Sequence, residues 1–272
     1  MTAPHLGPHL GPHLGPHLGP HLAPGLRVVR RGLDQVQVGL YDGRRVLLPR
    51  TESVEAAITM LLEHRAPTED DPASATVVGH LDRHGLVVWE AMKPPRRTVA
   101  VLGGLGTAVP DLADLLGPSG VQVTSSVETA DVVVVLSEGE LDRSRLDPLV
   151  RGRTTHLVVR LVDGGAVLGP FVVPGTTPCL RCLDAHLSVR DPDHVVVTAR
   201  YVRATARPRA DGVPDLDPAL ASLAVSWAAR DVVAHLRGRE PSTWARTVVL
   251  SPTPTHRREE DWTLHPRCGC CW

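Results

Sequence analysis

Thr98-Val99-Ala100-Val101-Leu102-Gly103-Gly104-Leu105-Gly106-Thr107 opens the larger half of this chain. Five apolar or β-branched residues followed by a glycine turn predict a buried strand, a tight reversal and a helix through Leu112, Leu115 and Leu116. Downstream, Val121–Thr124 and Asp131–Leu136 predict two more strands, the second almost wholly valine, as a central parallel strand requires. A helix is expected from Leu141 to Val150 and a strand from Thr155 to Val162. Alternating strand and helix at this spacing predicts a doubly wound, Rossmann-like α/β sheet.

Working outward, Asp217 with Pro218 predicts a capped helix start, and Leu220, Leu223 and Trp227 recur at helical spacing. Val225, Val232 and Leu236 widen the stripe, so it reads as core and can also serve a homodimer interface. Thr247–Leu250 reads as a last strand, and residues 190–214, rich in Arg, Pro and Asp, as a long surface crossover. Toward the N-terminus, Met92-Lys93-Pro94-Pro95-Arg96-Arg97 is a linker. Before it, residues 26–92 predict a small α+β module, winged-helix-like. Its strands are Leu26–Arg30, Gln35–Leu40, Arg45–Leu48 and Leu86–Trp89, with one helix carrying Val54, Ala57, Ile58 and Leu61 and another from Pro72 to His84. In residues 1–25 a Pro-His-Leu-Gly repeat places His5, His9, His13, His17 and His21 at four-residue intervals, and its prolines forbid a helix. That segment reads as a disordered tail.

The chemistry-bearing signal is cysteine. All five lie in two clusters, Cys179-Leu180-Arg181-Cys182 and Cys268-Gly269-Cys270-Cys271. Thiolates three residues apart in one turn, joined by a second pair from far along the chain, can close a tetrahedral site around zinc. Spacing alone favours Cys268 with Cys271, while Cys268 with Cys270 is tighter but feasible; His265 is a further candidate. Four thiolates leave no position for water, so such a zinc is structural. Gly103, Gly104 and Gly106 occupy a place where backbone amides can hold a nucleotide phosphate. Yet Val101 stands where the first glycine of the dinucleotide fingerprint belongs, and no acidic residue ends Val121–Ser125. A close-packed strand-to-helix turn is the better reading. His186 and His194, near Asp184, Asp191 and Asp193, read as a solvated crossover rather than an acid–base pair.

Composition narrows the classes. A net charge of −1 gives no electrostatic case for nucleic acid or an anionic membrane. No stretch approaches the roughly 20 unbroken apolar residues of a membrane span, and no signal peptide is visible. A cytoplasmic setting follows as the expectation, where close cysteines hold metal rather than form disulfides.

Strand-Gly-Gly-Leu-Gly, Ala130–Val135, Pro174-Gly175-Thr176-Thr177-Pro178-Cys179-Leu180-Arg181-Cys182 and the terminal cysteines together resemble the ThiF/MoeB adenylating superfamily, over residues 97–272. The ending His265-Pro266-Arg267-Cys268-Gly269-Cys270, with a winged module in front, is similar to the ThiF-like partners of azole-forming cyclodehydratases. The resemblance implies a structural zinc with Cys270 as fourth ligand, a module that binds a precursor's leader peptide, and a YcaO-type enzyme as partner in bacteriocin-type biosynthesis. Adenylating members also set Arg, Lys and Asn around ATP between the glycine turn and the strand matching Asp131–Leu136. Here that segment is cut short, the chain has no asparagine, and its one lysine, Lys93, precedes the turn. Glu138 aligns loosely with the family's magnesium-holding Asp. One carboxylate without basic partners cannot stabilise a phosphoryl transition state. The expectation is therefore a pseudoenzyme with zinc, without ATP and with no catalytic residue. The rival is an adenylyltransferase that activates a C-terminal carboxylate, and a third reading is a zinc-stabilised dimer without a peptide ligand.

Overall fold

The computed structural model describes residues 19–68, 70–89, 96–105, 109–205, 217–252 and 257–270. The chain divides between Pro95 and Arg96 into two compact units.

The first unit contains β1 (His21–Leu22), β2 (Val28–Arg31), β3 (Gln35–Val38), β4 (Val46–Pro49), α1 (Glu52–Leu62), α2 (Pro72–Arg83) and β5 (Val87–Val88). Strands β2, β3 and β4 form an antiparallel sheet in that order, with Val36 opposite Arg30 and Leu48. Thr51 caps α1 by accepting from the Val54 amide, and Asp71 caps α2 the same way at Ser74, with Pro72 in the first turn. Val54, Ala57, Ile58 and Leu61 then present one apolar stripe, which packs with Val36, Val38, Val46 and Leu48. One expectation changes. His21–Leu22, assigned to the tail, pairs antiparallel with Val87–Val88, so this unit starts before Leu26. The other repeat histidines lie outside the described residues.

The second unit runs β6 (Arg97–Gly103), α3 (Leu112–Leu116), β7 (Val121–Thr124), β8 (Val132–Glu138), α4 (Asp147–Arg151), β9 (His156–Val162), β10 (Gly165–Val172), α5 (Leu180–Arg190), α6 (His194–Thr205), α7 (Pro218–Leu236), β11 (Arg246–Leu250) and β12 (Arg257–Asp261). Its seven-stranded sheet has the order β12-β11-β10-β9-β8-β6-β7. The pairings among β9, β8, β6 and β7 are parallel, and β10, β11 and β12 continue antiparallel, so the sheet is mixed.

Strand β8 shows why the valine run belongs in the middle. Val132, Val134 and Leu136 enter a core cluster with α3 and α7, whereas Val133 and Val135 enter one with Leu149, Leu180, Leu183 and Trp262. Both faces are covered, so a strand period of two leaves no exposed side. Three further differences concern the helix after β8, the crossover and one edge of the sheet. The helix expected over 141–150 is a 3₁₀ turn at Arg143–Arg145 followed by α4, and Pro148 in the first turn of α4 marks the break. The crossover contains α6, which the sequence hides because none of its residues is buried. Residues 257–261, read as loop, form the edge strand β12.

Candidate metal centre and the ends of the parallel strands

Cys179 is the N-cap residue of α5 and Cys182 lies in its first turn. Both are buried, at 4% and 0% exposure. Cys268 and Cys270 arrive from the C-terminal loop, where the Cys268 amide donates to His265 O at 3.0 Å. Gly269, between them, has a φ of 74°, which lets both flanking thiols point the same way. All four sulfurs lie within 4.8 Å of one another. Cys179 is 3.4 Å from Cys268, and Cys182 is 3.4 Å from Cys270. A tetrahedron of zinc–sulfur bonds of about 2.3 Å has edges of roughly 3.8 Å, between these limits. The four thiols are free rather than disulfide-bonded. These residues can hold a metal ion, and the donor set, four soft thiolates, fits zinc. Cys271 lies outside the described residues.

Local charge agrees with that use. The adjacent Cys182 sulfur and burial push the Cys179 thiol far above its ordinary value. Cys182 is held down to about 4 by the bond from Cys179, despite its burial, with help from the His265 amide. Packed sulfurs cannot all ionise against one another, and a divalent cation removes that conflict. His265 supplies its backbone amide to Cys182, and its ring accepts from Arg267 N at 3.2 Å.

The glycine turn is a packing feature at its first position. Gly103 has a φ of 81°, and a Cβ there would lie 2.1 Å from Leu136 O on β8. Gly104 is exposed with nothing near an added Cβ, and Gly106 lies outside the described residues. At the C-terminal ends of the parallel strands, where open α/β sheets bind their ligands, this chain places internal ion pairs. Glu140 accepts from Arg160 at 2.7 and 2.8 Å and also from Arg143. Arg143 forms a two-pronged pair with Asp184 at 2.8 Å through each arm. His194 approaches Asp184 at 3.3 Å. Burial alone would raise the Glu140 pKa, but Arg160 and Arg143 outweigh it and hold the carboxyl down to about 2. Beside this network Gly139 abuts α6, where an added Cβ would lie 2.7 Å from the Thr205 side chain.

Asp184 and His194, expected in solvent, thus belong to a mostly buried network. Arg143, Arg160 and Glu140 were not singled out in the sequence, although Arg160, alone in the apolar run His156–Val162, is a signal that a partner was needed. His186 contacts Thr263 O at 2.9 Å, and Glu138 ends β8 in an exposed position.

No family model and no curated protein matches the chain. Solved structures do. The chain is similar to the heterocyclase TruD, with a TM-score of 0.63 and 18% identity over 94% of its own length and 43% of that chain. A heterocyclase in complex with substrate and cofactor gives a TM-score of 0.63 at 16% identity, over 94% and 40%. Escherichia coli MccB gives 0.57 at 14% identity, covering 93% of this chain and 96% of the other. MccB structures include one with ATP and one with N-formylated MccA. The chain spans less than half the length of the heterocyclase chains and nearly all of MccB. The fold of this chain is the fold these proteins share.

Proposed function

We propose that this chain is a ThiF-like pseudoenzyme with a winged-helix-like first unit and a Rossmann-like second unit stapled by zinc at Cys179, Cys182, Cys268 and Cys270. In this reading the first unit captures the leader of a ribosomally made precursor peptide. The second presents it to a separate YcaO-type cyclodehydratase in the cytoplasm. The observation that carries the proposal is the fold likeness to a heterocyclase over 94% of the chain. Two further features support it. The charges at the ends of β8 and β9 pair with one another. Strand β2 pairs only with β3 among the described residues, leaving its other edge for an added peptide strand.

The Gly39 amide donates to Arg27 O, so alternation turns the Arg30 N–H toward that free edge. Labelled peptides encoded beside the gene, followed by fluorescence anisotropy, test the capture. Saturable binding is expected, with a loss of roughly tenfold or more for Arg30→Pro, which removes the outward donor but spares the β2–β3 ladder. No binding by any neighbour-encoded peptide would sink the proposal. A second reading, an ATP-dependent adenylyltransferase, is favoured by the likeness to MccB along nearly the whole of both chains. Peptide-dependent ATP–pyrophosphate exchange would establish it.

A further inference from the structure

The second unit carries a groove between the C-terminal half of α7, the loop at 239–242 and strands β11 and β12, enclosing about 810 Å³. Its floor is fixed by a buried charge. Asp231, 4% exposed, accepts from the Ser242 amide at 3.0 Å, the Thr243 amide at 2.9 Å and both hydroxyls. Ser242 Oγ in turn accepts from Trp227 Nε1 at 2.6 Å, so Asp231 sets the orientation of the indole through one hydroxyl. The Arg257 guanidinium sits 5.4 Å from the Trp227 ring centroid.

The charges are unevenly used. Arg246 pairs with Glu259 and Asp261, and Arg257 also pairs with Glu259. Arg230 and Arg239 line the groove and have no ion-pair partner among the described residues. Glu240 is the one lining carboxylate not already engaged in an ion pair or a set of hydrogen bonds.

We infer that this groove binds an acidic segment of a partner protein. Arginine and tryptophan around a fixed polar floor are the composition of energetically dominant interface centres. Unpaired guanidiniums match carboxylates by their forked donors. Arg230 on α7 and Arg239 on the loop after it offer two separate guanidiniums, a match for carboxylates spread along a chain. The inference concerns the second unit and stands whether or not the first captures a leader peptide.

The test uses the full chain and a fluorescein-labelled peptide of alternating glutamate and leucine, with its glutamine counterpart as control. Saturable, salt-sensitive binding of the glutamate peptide alone is expected. Arg230→Ala with Arg239→Ala should weaken it roughly tenfold, and lysine at both positions should restore part of the loss. The Trp227 indole N–H resonance, assigned through Trp227→Phe, should move on binding. No binding overturns the inference, and so does binding that the double alanine variant retains with the Trp227 resonance unmoved.

Discussion

The cysteine cluster and the ends of the parallel strands share α5, whose first two turns give Cys182 to one and Asp184 to the other. Their chemistry differs. The cluster gathers four thiol donors of one kind, an arrangement that a divalent metal ion can join and stabilise. The strand ends gather Glu140, Arg143, Arg160 and Asp184 in opposite charge pairs, in which the buried Arg160 Nε keeps no hydrogen-bond partner. A site built to bind leaves groups unsatisfied, and a site turned to structure closes its own contacts. By that measure the four cysteines call for a metal ion, and the charges beyond β8 and β9 serve mainly to hold the strand ends together.

The largest effect that can break the comparison is at the cluster. Cys182→Ser should abolish stoichiometric metal, measured by elemental mass spectrometry, and cost on the order of 5 kcal/mol or more in urea unfolding. An unchanged metal content would remove the clamp. Next comes Glu140→Gln, which strands the buried Arg160 guanidinium while Arg143 keeps Asp184, and should cost about 3 kcal/mol. If stability is instead retained, the network does not hold the strand ends together.

Acid sharpens the same point. Burial lowers the pKa of His156 to about 4 and keeps the ring neutral, with Nδ1 bonded to Thr154 O at 2.8 Å. The unfolded chain therefore binds this proton first as pH falls, so stability declines from about pH 6.5 to 4, by roughly 3 kcal/mol. Glu140, depressed to about 2, contributes stability present above its unfolded pKa and lost as pH falls from about 4.5 toward 2. His156→Leu should flatten the upper part of that curve and leave the lower part. The smallest contrast is between neighbours. Gly103→Ala should cost about 2–3 kcal/mol through its clash with Leu136 O and its positive φ. Gly104→Ala should stay within about 0.5 kcal/mol.

Local pattern made the valine run of β8, the cap of α7 and the two cysteine clusters readable, because each is written within a few consecutive residues. That the two cysteine clusters meet was readable from thiolate chemistry, but spacing favoured Cys271 and only the family resemblance pointed to Cys270. What escaped depends on partners distant in sequence. The charged strand Arg257–Asp261 has no apolar alternation, and only pairing with β11 makes it a strand. Helix α6 buries no residue, so it leaves no stripe. Asp184 looked solvated because its partner Arg143 comes from a turn on another element.

The central proposal, that this chain holds a metal and does not itself adenylate a peptide, is tested most directly by ATP–pyrophosphate exchange on the metal-loaded full chain. The assay is run with each peptide encoded beside the gene. Exchange at the level of a no-protein control is the predicted result, and clear peptide-dependent exchange would contradict it.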